Sequence, residues 1–562
     1  MKNILKISLS VVVSMMLMSS CGDFLDENPE YNRTTENSYK DAESLKSGLI
    51  GAYDQLKHTI RHNCYFLGIL GTDEAMGQTN TIYNNLSRYV LPANDPHYLP
   101  VWYECHFRMI AQCNTLIKCG LAIEQTEEVK YIINECRLLR ALAYFRLAQV
   151  FGPVPLMDQP VEGTVNYGMP RAAMKDIYKL IISDLVAASA DGALPLPNEV
   201  DAKEIQRPNV YVAKALLGRV YVTLASTIEA GVVDRVLASI DKADLGYANY
   251  EETPKELYAK AEQVLGEIIS SGYYTLNKNY GDLFTIENNN KIPENMWQIQ
   301  FNTTLDYGQY FHMVMGMWTN NGDLNVRCNT IGLGLCQVTY PKTMYFSYSN
   351  DDVRRDWNLC CRVYLWDLST YKDGDPSKGD VDREIATIYN GITKFRVNSH
   401  QEMHEPSNYT DIWNKPVLQT IVRYADVLLL YAEASMQANG GVATQAGVDA
   451  INEVRQRARG YHEDGSPISV SEKPTVPNFA VGNLDMDKIL EERKLELCYE
   501  GHRWFDLVRC GRLIEKYNEP VYPQSEPMFQ QVRMTENQYL YQIPQTQIDG
   551  TTNPKGFFQN PM

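Results

Sequence analysis

The sequence predicts a mainly α protein, with paired helices stacked side by side and one loop-rich stretch set into the stack. Three observations predict it. Apolar residues recur at helical spacing from about residue 40 to 272, and again from about 418 to 515. Three of these helical segments are variants of one pattern. Between Tyr273 and Val417 the spacing fades, and Asn, Gly, Asp and Tyr become frequent.

Taken in order, Ser44 to Ile60 carries Leu45, Leu49, Ala52 and Leu56 on one helical side, and Trp102 to Ala122 repeats the habit. The run NECRLLRALAYFRLAQVFG, Asn134 to Gly152, is apolar around most of its circumference, which calls for burial on two sides. Gly152 and Pro153 end it. Ala173 to Ala190, Val210 to Ala225 and Glu256 to Ser271 read the same way. RALAYFRLAQ, KALLGRVYVTLA and YADVLLLYAEA each set a small residue near a large apolar one. That is the habit of tetratricopeptide helices, where Ala lets a neighbour approach, and Ala141 and Phe145 fit the A-x3-F element. The fold class is therefore a tetratricopeptide-like helical scaffold. Past residue 273 the sequence shows a strand-like run, Met296 to Phe301, and then long loops, which on a helical scaffold usually carry function. Helices resume at Ile421 to Ala438, Thr444 to Ala458 and Met486 to Tyr499. Residues 516–562 are irregular and rich in Asn, Gln and Pro.

The N-terminus has its own logic. Lys2 and Lys6 form a positive region, Ile7 to Met18 a short apolar one, and Ser19 and Ser20 precede Cys21. This reads as a secretory signal over residues 1–20, too short to span a membrane. A cysteine after two small residues fits a bacterial lipobox, with Met18 where Leu is commoner, so Cys21 is the expected lipidation site. Acyl chains there would anchor the chain at about 0.8 kcal/mol per buried CH₂. The acids and proline of GDFLDENPE then lead residues 21–562 away from the membrane.

Composition narrows the partners. A formal charge of −17 argues against nucleic acid, which needs clustered Lys and Arg, and makes an acidic sugar or lipid head a poor bulk match. The 37 tyrosines offer flat apolar faces with a polar rim, suited to sugars or peptides, although most will be core. The 12 cysteines show no CxxC or metal spacing, and the 9 histidines form no HExxH cluster. No P-loop, G-x-S-x-G or GxGxxG appears.

At this level of detail the chain resembles the SusD/RagB family of outer-membrane nutrient-binding lipoproteins. The resemblance is carried by CGDFLDENP, RLLRALAYFRLAQVFGPVPLM, RPNVYVAKALLGRVYVTLA, YGDLFTIENNNKIPENMWQIQF, IVRYADVLLLYAEA, AINEVRQRARG, ILEERKLELCYEGHRWFDLVRCGRL and YQIPQTQIDGTTNPKGFFQNP, in family order along nearly all of the mature chain. It implies a lipid-anchored protein on the outer face of the outer membrane. It implies a SusC-type TonB-dependent barrel as partner, over which the lipoprotein closes like a lid. It also implies a non-catalytic task, capturing oligosaccharide for import. Two alternatives stay open: peptide capture on the same scaffold, and a surface glycoside hydrolase. No cofactor is expected, and calcium is left open.

Within this frame two readings compete. ERKLELCYEGHRWFDLVR groups Glu496, Glu500, His502, Arg503 and Asp506, which could serve acid/base chemistry. Local pairs Arg493–Glu496 and Arg503–Asp506 at helical spacing, with Trp504 and Phe505 as core, make the structural reading the stronger. For sugar capture, flat aromatics and planar polar groups on exposed loops are the candidates. TNTIYNNLSRY offers Tyr83, Asn84, Asn85, Arg88 and Tyr89, and the preceding GTDEAMG adds Asp73 and Glu74, for which a capping role competes. MGMWTNNGDLN offers Trp318, Asn320 and Asn321. For Tyr83 and Trp318, packing of the loop base is the competing role.

Overall fold

Cap chemistry decides where the long helices begin and end. The computed structural model describes residues 38–61, 64–77, 81–92, 95–161, 166–200, 207–248, 250–285, 288, 291–299, 301, 337–359, 392, 394–395, 419–518 and 534–561. Its first part holds α1 (Ala42–Arg61), β1 (Met76–Gly77), α2 (Thr81–Ser87), α3 (Leu99–Leu121), α4 (Glu127–Phe151), α5 (Met174–Ala188), α6 (Val210–Ala230), α7 (Val232–Ala238) and α8 (Pro254–Ser271). The Thr126 hydroxyl accepts the Val129 amide to open α4, with Glu127 and Glu128 placed where the helix dipole favours acids. Gly152, at φ 68°, closes it in a conformation that a side chain resists. Thr253 and Glu256 cap one another reciprocally at the start of α8, behind Pro254.

These helices pack in series: α1 on α3, α3 on α4, α4 on α5, α5 on α6 and α6 on α8. The second part holds β2 (Trp297–Ile299), β3 (Val338–Thr339), α9 (Lys342–Ser347), α10 (Val353–Asn358), β4 (Gln419–Val422), α11 (Tyr424–Ala438), α12 (Gln445–Arg459), α13 (Met486–Leu497), α14 (Arg503–Arg509), α15 (Leu513–Asn518) and α16 (Gln545–Gly550). The series continues directly from α8 to α11 and from α11 to α12. The stretch between α8 and α11 therefore leaves the stack and returns without breaking it, which is the serial packing expected of helical repeats.

The intervening stretch is nevertheless stitched to the stack. Antiparallel β2 and β4 pair Trp297 with Val422, and β1 and β3 pair Met76 with Thr339. Ile421 and Val422, expected as the start of a helix, belong to β4 instead. Helices α9 and α10 appear where helical spacing had faded, because six residues each are too few to display a period. The C-terminal segment closes the exit of α4. The Tyr541 amide donates to the Val150 carbonyl at 2.8 Å, and the Asn560 side chain donates to Phe151 and Tyr541 carbonyls at 2.9 and 2.7 Å. Cys105, Cys113, Cys136, Cys498 and Cys510 are free thiols. Among the described residues no single helix is long and apolar enough to cross a membrane.

One contact demands glycine on both sides. The 3₁₀ turn Cys64–Gly68 meets the tight turn after α13 so closely that a Cβ on Gly68 would lie 2.3 Å from the Gly501 carbonyl oxygen, and Gly501 itself has φ 81°. Backbone cannot give way as a side-chain tip can. Gly68→Ala is expected to lower unfolding free energy by about 1–3 kcal/mol, read as a shift in the urea midpoint, while Gly51→Ala, exposed on α1 with open space around it, is expected to raise the midpoint, since alanine is favoured over glycine there by about 1 kcal/mol.

Candidate functional site

The acidic and basic residues of α13 and α14 come first, since they form the densest chemistry in the sequence. Glu496 is wholly buried and accepts from Arg354, Arg423 and Arg457 at 3.0, 2.6 and 2.5 Å. Burial pushes its carboxyl up, but Arg457, Arg423, Arg354 and Lys394 together hold it well below the usual range. Glu294 bridges Arg423 and Arg457 at 2.9 and 2.6 Å, and Glu500 takes Lys394 and Arg423, both at 2.7 Å. Glu492 joins Arg354 and Arg455 at 2.7 and 2.5 Å. A carboxylate locked by three guanidiniums is neither a base nor a proton donor near neutral pH. The constellation is structural, as the sequence reading favoured, but its pairing differs. Arg493 binds Asp426 and Asp506 at 2.7 and 2.8 Å rather than Glu496. Arg503 grips Asp73 through two bonds of 2.7 Å rather than Asp506. Trp504 is core, whereas Phe505 is only partly buried and lines a cavity.

The predicted glycan residues divide accordingly. Asp73 is removed from the candidate set, because Arg503 and Lys494 occupy its oxygens and, although burial opposes it, hold its carboxyl well below its ordinary value. Glu74 is fully buried, accepts the Tyr499 amide at 3.3 Å and is pushed up by burial. TNTIYNNLSRY is not an exposed loop, since seven of its residues form α2. That helix turns Tyr83 inward, where its ring meets Phe66 edge-on at 5.1 Å and stays 4% exposed, leaving no face for a sugar. Asn84, Asn85 and Arg88 stay half-buried on α2 and its exit, and Arg88 Nε has no hydrogen-bond partner. Trp318, Asn320 and Asn321 lie outside the described residues, as does Cys21.

Directly after α2 the chain forms one wall of a groove of about 90 Å³. Tyr89, Pro92 and Asp95 stand on that wall, and Asn537, Gln538 and Gln542 face them from the C-terminal segment. Tyr89 sits at φ 55°, its hydroxyl donates to the Gly71 carbonyl at 2.8 Å, and its ring stacks on Tyr541 at 5.9 Å. Asp95 is already engaged by the His97 and Tyr98 amides at 3.1 Å each. Among the described residues it is the sole carboxylate lining the groove, where paired-carboxylate hydrolysis would need two. Gln542 makes no side-chain hydrogen bond among the described residues and is half-buried at the rim. Planar amides beside an aromatic and prolines suit a neutral, hydroxyl-rich ligand. The sequence reading missed this wall. Its signal was the Asn, Gln and Pro richness of the last residues, whose apposition to Tyr89 across more than 400 positions no local pattern encodes. No group of three or more His, Cys, Asp or Glu able to hold a metal occurs among the described residues.

This helical stack, with its C-terminal closure, matches known proteins. The model described as "SusD family" matches residues 262–562, over half of the chain, and one described as "Starch-binding associating with outer membrane" matches residues 23–222. The chain belongs to the SusD family. A SusD-like protein of Bacteroides ovatus is 24% identical over 532 residues, 90% of this chain and 82% of that protein. A SusD homolog from Bacteroides thetaiotaomicron superposes with TM-score 0.73 at 22% identity, covering 95% of this chain and 99% of its own. The surface glycan-binding protein A of the same organism, solved with laminarihexaose, gives TM-score 0.65 at 18% identity over 92% and 99% of the two chains. The tetratricopeptide-like expectation thus holds at the level of the whole SusD fold.

Two buried imidazoles set the acid limit of this SusD family member. His106 is fully buried with Nδ1 2.6 Å from the Trp102 carbonyl, which can only accept, and burial beside Arg146 pushes it down to about 3. Burial, opposed by Asp426 and Glu500 and reinforced by Arg219 and Arg493, brings His502 down to about 4. An unfolded histidine binds its proton near pH 6.5, so acidification favours the unfolded chain from there downward. Asp73 and Glu496, held below their unfolded values, add a further loss below about pH 4.5. The imidazoles are expected to leave melting temperature level above pH 7 and to lower it between about 6.5 and 4.5, a fall that Glu74, pushed up by burial, opposes over the same window, with a steeper loss below; His106→Gln is expected to lessen the fall, and an unchanged profile in that variant would contradict a neutral His106.

Proposed function

We propose that this chain is a non-catalytic surface lipoprotein, anchored through Cys21, that captures a glycan and delivers it to a SusC-type TonB-dependent barrel. What supports the reading is a groove whose hydrogen-bonding capacity comes from amides rather than from free charges, on a scaffold shared over more than nine-tenths of its length with proteins described as glycan-binding. A neutral polysaccharide presents hydroxyls that amides both donate to and accept from, and a ring face that can lie on tyrosine or proline. The lipid anchor keeps the groove at the cell surface, and a barrel partner supplies the route that a chain of stacked helices lacks.

Calorimetric titration with a panel of neutral polysaccharides, laminarin included, tests the groove. The variant Gln542→Ala is expected to weaken binding at least tenfold with an unchanged melting temperature. Unaltered affinity would remove the groove from the site, and binding of proteolysed protein with none of the polysaccharides would replace glycan by peptide. For the anchor, Cys21→Ala is expected to move the chain from the outer-membrane fraction into the soluble fraction; retention in the membrane would refute lipidation at that residue.

A further inference from the structure

A second cavity, of about 90 Å³, lies inside the helical stack, walled by α1, α3, α4, α6, β4, α11, α13 and α14. Four arginines line it: Arg146, Arg219, Arg493 and Arg509. Three of them are neutralised. Arg219 holds Asp426 at 2.6 Å, Arg493 holds Asp426 and Asp506 at 2.7 and 2.8 Å, and Arg509 holds Glu433 at 2.7 Å and Asp506 at 3.0 Å. Four guanidiniums therefore meet three carboxylates, Asp426, Asp506 and Glu433, which leaves one positive charge.

The remaining charge belongs to Arg146. Its contacts are a 3.5 Å hydrogen bond to the Thr59 hydroxyl and the face of the Trp102 ring at 5.7 Å. No carboxylate lies within ion-pair distance of it among the described residues, and its charged neighbour is Arg219, of like sign. Burial, with Arg219 beside it, brings Arg146 down to about 10, so it stays charged at neutral pH. Two more donors stand on the same walls without acceptors. Trp102 Nε1–H is buried and unbonded, and the Gln149 amide makes no side-chain hydrogen bond. His502, also on the wall and held neutral, adds no charge. A half-buried guanidinium with no carboxylate partner is costly unless an anion or water answers it.

We propose that this cavity is a binding site for a single small oxyanion of the carboxylate class, held by the Arg146 guanidinium between Thr59, Trp102 and Gln149. A planar carboxylate matches the two-pronged edge of a guanidinium, and one negative charge brings the four-to-three count to zero. The carboxylate could come from a free small acid or from an acidic sugar, and the two are separated by the probes below. The proposal is independent of the groove beside Tyr89.

The test follows the melting temperature of the full mature chain at pH 7.5 against sodium acetate, with sodium chloride at matched ionic strength. The expected result is a saturable rise with acetate beyond that with chloride, absent in Arg146→Met. Without acetate, Arg146→Met is expected to melt no lower than the parent, because a half-buried charge with no carboxylate partner has been exchanged for a side chain of similar length. Equal responses to acetate and chloride, a saturable rise surviving in Arg146→Met, or a lower melting point of that variant without anion would each overturn the site. Should Arg146→Met lose its helical circular dichroism, Arg146→Lys serves instead: half-saturation at several-fold higher acetate supports the site, and an unmoved midpoint overturns it. Sodium galacturonate in place of acetate identifies the source, since a matching saturable rise assigns the carboxylate to an acidic sugar and its absence assigns it to a free small acid.

Discussion

Glu496 is the point on which most of the architecture converges. It is fully buried on α13, and its carboxylate gathers arginines from three separate parts of the chain: Arg354 from the inserted stretch, Arg423 at the head of α11 and Arg457 on α12. Burying that many charges brings no large net gain, because desolvation offsets the attraction. What it imposes is mutual dependence. Removing one partner would strand the others in a medium of low dielectric, so the parts hold one arrangement or lose it together.

This dependence explains how the stretch between α8 and α11 is tied to the fold. Glu294, Asp352, Arg354 and Lys394 all come from between α8 and α11, and each is buried in the lattice. The C-terminal segment is held by other means, through Arg171 and Asn560 on the carbonyls at the exit of α4, and so places Gln542 opposite Tyr89. Among the four arginines lining the inner cavity, Arg219, Arg493 and Arg509 each hold an acid and Arg146 holds none.

Much of the fold was legible. Apolar spacing marked all nine long helices that the sequence reading named, usually to within a few residues, because each buries a stripe of side chains and a stripe is a local property. The expectations that the structure corrects share a cause. In TNTIYNNLSRY the polar residues suggested an exposed loop, yet the short α2 turns Tyr83 and Leu86 inward and packs on them. Arg503 stands three residues before Asp506 but reaches Asp73, 430 positions away, because burial on α14 presents it to a different chain segment. The same applies to Arg493, whose carboxylates lie on α11 and α14.

The amino-acid order alone therefore determined the helical class, the stacked repeats, the signal-like start and the family, since these rest on periodicity, caps and motif order. Tertiary structure alone decided which charges pair, which aromatics keep a free face and which distant segments enclose a cavity. The physical reason is that propensity and amphipathicity act over a few turns of chain, whereas ion pairing and pocket formation depend on distances through space that the stack of helices sets.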